Sequence, residues 1–170
     1  MDKIWQKLRT TARVHIGGAL LAFVTLLVFA PGAQADPTPT TGGRDLAVED
    51  ANRDLVVDFY DKFFIDHDIA SASVIADDYK QHNPNVPDGK APFVDYFTGF
   101  FAENPQSRGE VVRSATDGDL VFLHVRSTNG PQDRGEAVVD VFRVDNGKIV
   151  EHWDVIQAVP EEAANSNTMF

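Results

Sequence analysis

Glu136-Ala137-Val138-Val139-Asp140-Val141-Phe142-Arg143-Val144-Asp145-Asn146-Gly147-Lys148-Ile149-Val150-Glu151-His152-Trp153-Asp154-Val155-Ile156 decides the fold class of this 170-residue chain. Two β-branched, aromatic-rich runs, 136–144 and 148–159, flank Asp145-Asn146-Gly147, a strong hairpin signal because Asn-Gly accepts positive φ at low cost. Upstream, 120–128 and 110–116 read as two further strands joined by the turn Asp117-Gly118-Asp119. Residues 129–135, with Gly130-Pro131, form the next loop.

Before the strands the apolar period changes. Val48, Ala51, Leu55, Val56, Phe59, Tyr60, Phe63 and Phe64 recur at three- and four-residue steps, which predicts a helix from Leu46 onward. Asp45, Glu49 and Asp50 stand at its start, where the helix dipole favours negative charge. A short helical stretch is expected from about Ile69 to Ala76, and a third helix over 91–102. For the third, Asp88 could act as cap, Pro92 lies in the first turn and Asn104-Pro105 ends it. Helices first and antiparallel strands after make an α+β domain, with three helices on a curved sheet and a conical cavity between the layers.

The N-terminus reads as a cleavable leader. Lys3, Lys7, Arg9 and Arg13 precede the uncharged run 16–30, and Ala33-Gln34-Ala35 is a cleavage signal. The expected organisation is therefore a signal peptide over 1–35, a Pro/Thr/Gly linker over 36–45 and one domain over 46–170. A run of 15 residues is short for a membrane span, which needs about 20, so stable membrane insertion after cleavage is not expected. The localisation this predicts is secreted or extracytoplasmic. The leader carries four of the 15 basic and one of the 26 acidic residues, leaving 11 against 25 and a net charge near −14. Such a surface repels nucleic acid and anionic membranes. With no cysteine, thiol redox chemistry and thiolate zinc sites are excluded.

Alternation along each strand groups side chains by face. Leu120, Phe122, His124 and Arg126 share one; Val138, Asp140, Phe142 and Val144 another; Val150, His152, Asp154 and Ile156 a third. Asp140 is a carboxylate inside an apolar run, and near an imidazole it becomes a candidate general base. It could equally face solvent or pair with Arg126 or Arg143. His124 could be a pocket residue or a satisfied core histidine. His82, in the loop segment Gln81-His82-Asn83-Pro84, could serve a site or a turn. His67, between Asp66 and Asp68, reads as solvated helix-end chemistry. A three-residue loop at 145–147 would pair Asp140 with His152, and a two-residue Asn146-Gly147 turn would pair it with Trp153. A one-residue slip inverts every side chain, so the sequence leaves this choice open. His152-Trp153-Asp154 supplies only half of a facial metal motif, no Gly-x-Ser-x-Gly element occurs, and no resident metal or cofactor is expected.

The helix-then-strand order, 79–84, 134–144 and 146–154 together resemble the SnoaL-like polyketide cyclase family of the nuclear transport factor 2-like superfamily. The tail 165–170 also resembles bacterial members, and the similarity spans about 46–170. The resemblance implies a cone-shaped α+β fold and homodimers formed through the sheet. It also implies cofactor-free aldol-type chemistry on a small hydrophobic carbonyl compound. Under it, Asp140 is the base, His124 its partner and His82 a group at the cavity mouth. His152, Asp154, Asn83, Phe122, Phe142 and Trp153 would bind substrate. Ketosteroid isomerase, of the same superfamily, divides the labour between two Asp, one as base and one kept protonated at the oxyanion. Asp140 and Asp154 could copy that division, while the oxyanion tyrosine has no evident counterpart in this sequence. The alternative is a non-catalytic module of the same fold that binds a small molecule or another protein.

Overall fold

A computed structural model describes residues 43–170. Helix α1 (Leu46–Phe64) leads through a 3-10 turn (Ile69–Val74) into strand β1 (Ile75–Gln81), then helix α2 (Lys90–Glu103). Four strands follow: β2 (Arg108–Asp117), β3 (Leu120–Thr128), β4 (Glu136–Asp145) and β5 (Lys148–Ala158). They form one open sheet in the order β1-β5-β4-β3-β2, antiparallel except where β1 runs parallel to β5. The fold class is α+β, as the sequence implies. Among the described residues no helix is long and apolar enough to cross a membrane. The expected leader and most of the linker lie outside the described residues.

Three local expectations change. The segment expected as a second helix is a 3-10 turn that ends at Val74, and β-branched Ile75 opens the edge strand β1, which the apolar pattern does not announce. Helix α2 is capped by Gly89, while Asp88 turns its carboxylate to the Gln81 amide at 2.8 Å. His67 is half-buried rather than freely solvated: its backbone takes φ 56°, its ring stacks on Phe101 at 4.1 Å, and Nε2 lies 3.0 Å from the Ser107 carbonyl.

The hairpin register is neither of the two the sequence offered. Asp145 pairs with Lys148 around a two-residue Asn146-Gly147 turn with φ of 50° and 71°. A bulge at Val150 then slips the ladder by one residue, so that Phe142 faces His152 and Asp140 faces Asp154. Ile149 rather than Val150 shares the inner face before the bulge, since it opposes buried Val144 and is itself fully buried. One unpaired residue thus sets both Asp140 and His152 on the helix-covered face.

That face is closed by α1 and α2. Val56, Phe59, Tyr60 and Phe63 form the buried stripe of α1, and Phe93 and Phe101 that of α2. Aromatic rings pack between the helices and the sheet. At the start of α1, Asp45 accepts from the Val48 amide at 3.2 Å, and buried Glu49 is held by Arg44 and by Thr116 Oγ1 at 2.9 Å. The Arg44 hydrogen bond, followed by that of Thr116, overcomes desolvation and holds the Glu49 carboxyl at about 2, well below its usual 4.5. The stability this contributes is fully present above pH 4.5 and is lost as pH falls towards 2. Melting temperature measured along that descent is expected to drop more steeply in wild type than in Glu49→Gln. Parallel curves for the two proteins would count against the pair.

Before β4, Gly135 holds φ at 83°, and a Cβ there would sit 2.4 Å from the Ser127 carbonyl oxygen. Gly135→Ala is expected to cost on the order of 1–3 kcal/mol in a urea melt, from left-handed strain plus displacement of β3. An unchanged midpoint would contradict this.

Candidate functional site

Inner-face positions of neighbouring strands line up in rows. One row carries Val121, Phe142, His152 and Gln81, and the next Leu123, Asp140 and Asp154. Where the two rows meet, polar groups form a connected chain inside an aromatic layer. Tyr60, from α1, donates its hydroxyl to Asp140 Oδ2 at 2.8 Å. His152 Nε2 lies 2.9 Å from Asp140 Oδ1, and His152 Nδ1 lies 2.9 Å from Gln81 Oε1. The His152 ring packs on Phe142 at 4.7 Å and is flanked by Tyr79 at 6.4 Å. Asp140, Tyr60 and His152 are 5 %, 6 % and 8 % exposed, so the three polar groups are satisfied by one another rather than by solvent.

Asp154 stands opposite Asp140 on β5 and is only half-buried. Asn83 Nδ2 donates to both its oxygens, at 3.0 and 2.7 Å. The two carboxylates, one enclosed and one reaching outward, share a face with the imidazole. Burial, then the charge and hydrogen bond of Asp140, raises the Tyr60 phenol well above its ordinary value. Tyr79 is raised by burial and then by the charges of Asp140 and Asp154. Both tyrosines therefore serve as proton donors or polar walls and not as bases.

Of the residues the sequence singled out, Asp140, His152, Asp154, Asn83 and Phe142 converge here. Four do not. Leu123 pairs with Asp140, so His124, one residue on, points to the opposite face and cannot assist Asp140. Phe122 lies on that same outer face. There His124 contacts the Phe170 ring at 6.0 Å, with the Arg126 guanidinium 5.6 Å over the same ring. Trp153 pairs with Val141, also outward. His82 follows it: its ring stacks on Trp153 at 4.6 Å and contacts Glu151 at 2.8 Å, leaving it exposed on the outer face rather than at a cavity mouth.

Two residues of the site are not evident from the sequence, Tyr60 and Gln81. A tyrosine on an otherwise apolar helical stripe is the signal for the first, because a buried phenol seeks a partner. Gln81 becomes visible only once residues 75–81 are known to be a strand, which puts Tyr79 and Gln81 on one face.

Ligand atoms of Asp140, His152 and Asp154 fall within 4.8 Å of one another, close enough for one cation. In this structure the Asp140 oxygens and His152 Nε2 are bonded to each other and to Tyr60. Two surface clefts, of about 360 and 410 Å³, are lined by charged residues such as Arg108 and Arg126 or Lys80 and Arg143, and neither contains Asp140, His152 or Asp154.

Solved structures share this architecture. A candidate ketosteroid isomerase from Kribbella flavida superposes with a TM-score of 0.56 at 19 % identity, over 69 % of this chain and 85 % of that one. IdmH, a candidate polyketide cyclase from Streptomyces antibioticus, gives 0.52 at 23 % identity, over 62 % and 91 %. A candidate polyketide cyclase from Bacillus cereus gives 0.53 at 18 %, over 62 % and 74 %. At such identities these likenesses speak for the fold alone. No curated protein matches the chain. The family model described as SnoaL-like domain matches residues 56–152, more than half of the chain, and with the nuclear transport factor 2-like architecture this places the protein in the SnoaL-like family.

Proposed function

We propose that the domain is an exported, cofactor-independent lyase or isomerase that takes a carbon-bound proton from a small hydrophobic carbonyl compound, with Asp140 as base. The observation that carries this reading is the enclosed Asp140 carboxylate, bonded at one oxygen to Tyr60 and at the other to His152. The carboxylate is held at a fixed point by these two bonds, and the imidazole beside it can hold or return a proton. In the reaction the substrate C–H proton moves to Asp140, and the bonding electrons pass to the carbonyl oxygen as an enolate. Attack of the enolate carbon on a second carbonyl of the same molecule then closes a ring, breaking that C=O π bond to an alkoxide, which takes back the proton from Asp140. Asp154, one strand over and reaching outward, meets the substrate first, with Asn83 fixing its orientation. The Phe-rich layer above favours an apolar ligand. The basic-then-apolar N-terminus and Ala33-Gln34-Ala35 support the exported reading, and the family match supports the cyclase or isomerase chemistry.

The same enclosure favours a second reading, in which the polar chain is structural and the domain only binds a small molecule or a partner. Exposed Val139 and Val155, 44 % and 70 %, support self-association through the outer sheet face in either case. A thermal-shift screen of wild type and Asp140→Asn against carbonyl and polyketide-like compounds separates the two. Stabilisation that the substitution alters supports the enzyme. Equal stabilisation in both proteins supports the binding module.

A further inference from the structure

The polar chain has a definite direction for its protons, and Gln81 sets it. Gln81 Oε1 lies 2.9 Å from the Asn83 backbone N–H and 2.9 Å from His152 Nδ1. A backbone N–H can only donate, so the amide atom facing it is the carbonyl oxygen, and the orientation of Gln81 follows without ambiguity. The other end of the amide, Nε2, turns to the Tyr79 hydroxyl at 3.4 Å. A carbonyl oxygen offers no proton, so the ring nitrogen opposite it must carry one. His152 is therefore protonated at Nδ1 and, when neutral, presents a bare Nε2 to Asp140 Oδ1 across 2.9 Å.

Two lone pairs cannot face each other at that distance. One further proton must lie between His152 and Asp140, written either as a neutral imidazole with a carboxylic acid or as an imidazolium with a carboxylate. Tyr60 donates to the other Asp140 oxygen in both forms. Around the pair stand Tyr60 from α1, Tyr79 and Gln81 from β1 and Asp154 from β5, while α2 brings Phe93, which is apolar. The acceptor that faces Nδ1 is the Gln81 oxygen.

We infer that Gln81 is a positioning residue: it holds a proton on His152 Nδ1, and with that site filled the Nε2–Asp140 hydrogen bond requires a second proton, so the pair carries two rather than one. This rests on the reading of Asp140 as base, which acts in the form that keeps the shared proton on the imidazole. Without the Gln81 oxygen Nδ1 has no acceptor, so the neutral ring keeps its single proton on Nε2, donates it to Asp140, and the pair holds one proton fewer.

The test is the ring spectrum of ¹⁵N-histidine-labelled protein, with the His152 signals assigned by their loss in His152→Asn. Wild type is expected to show a protonated Nδ1 and Gln81→Leu a protonated Nε2. Gln81→Glu, which keeps an acceptor at that point, is expected to restore the wild-type pattern. A merely structural Gln81 would alter melting temperature without moving the proton between ring nitrogens. Turnover in Gln81→Leu is expected to fall on the order of 10–100-fold, as when a histidine loses its orienting partner, with recovery in Gln81→Glu. The same tautomer in wild type and Gln81→Leu, or a bare Nδ1 in wild type, would overturn the inference. The spectrum needs no substrate, so it fails separately from the Asp140 reading, which fails on the turnover of Asp140→Asn.

Discussion

Asp140→Asn is expected to lower turnover by about 10²–10⁴-fold, the usual contribution of a positioned general base. The same variant is expected to melt within about 4 °C of wild type, a loss of no more than about 1 kcal/mol. The second expectation follows from the hydrogen bonds. The asparagine oxygen can still accept from Tyr60, and its amide can donate to the bare Nε2 of His152, so no buried group is stranded. Asp140→Leu differs in this respect. It leaves the Tyr60 hydroxyl and His152 Nε2 without partners, at a cost of about 1–3 kcal/mol for each. Measured kinetics with calorimetry on the two variants separate chemistry from architecture. A large loss of stability in Asp140→Asn would make the residue structural.

The largest stability effect is expected at Phe63. Its ring is fully buried and lies 5.0–5.5 Å from the rings of Phe59, Phe64, Phe93, Phe97 and Phe101. Phe63→Ala removes the central ring of the contacts that join α1 to α2, leaving those of Phe59 and Phe64, and opens a cavity there. Substitutions of this kind cost about 3–5 kcal/mol. For a domain of this size the melting temperature should fall by on the order of 10 °C or more. A fall of only a degree or two would mean that the aromatic layer closes over the gap, and that it is not what holds the helices to the sheet.

Much of the fold was legible because its signals are local. Strand β3 falls where its β-branched run predicts, and Asn146-Gly147 makes the turn between β4 and β5. Helix α1 follows its apolar period. The parts that were not legible depend on relations between strands. Whether His124 shares a face with Asp140 is decided by the pairing of β3 with β4 across the loop 129–135, and nothing in either strand fixes that pairing. Val150 is bulged although its sequence context, between Ile149 and Glu151, reads as regular strand. That bulge brings Asp140 and His152 to one face despite a two-residue turn, which by alternation alone would have parted them. Strand β1 was hidden because Asp77 and Asp78 interrupt its apolar pattern, and as an edge strand it has one side free to carry them.

For the site, the outcome divides along the same line. Asp140 was visible as a carboxylate in an apolar run, and burial is what such a pattern predicts. His152, Asp154 and Asn83 were visible as polar groups near one another in sequence or in motif. Their grouping with Tyr60 and Gln81 needed the packing of α1 and the parallel pairing of β1 with β5, both products of the tertiary fold. His82 and Trp153 stack together on the outer face, where with Glu151, itself pulled below its usual range by Arg143 and then His82, they make a surface cluster apart from the site.

The most direct test of Asp140 as a base is deuterium exchange at the carbon next to the carbonyl in a panel of small ketones and 1,3-dicarbonyl compounds, followed by NMR in D₂O. Wild type is predicted to accelerate exchange for members of the panel that fit, and Asp140→Asn to leave it at the buffer rate. Exchange equally fast in both proteins, or at the buffer rate in both across the panel, would contradict the account.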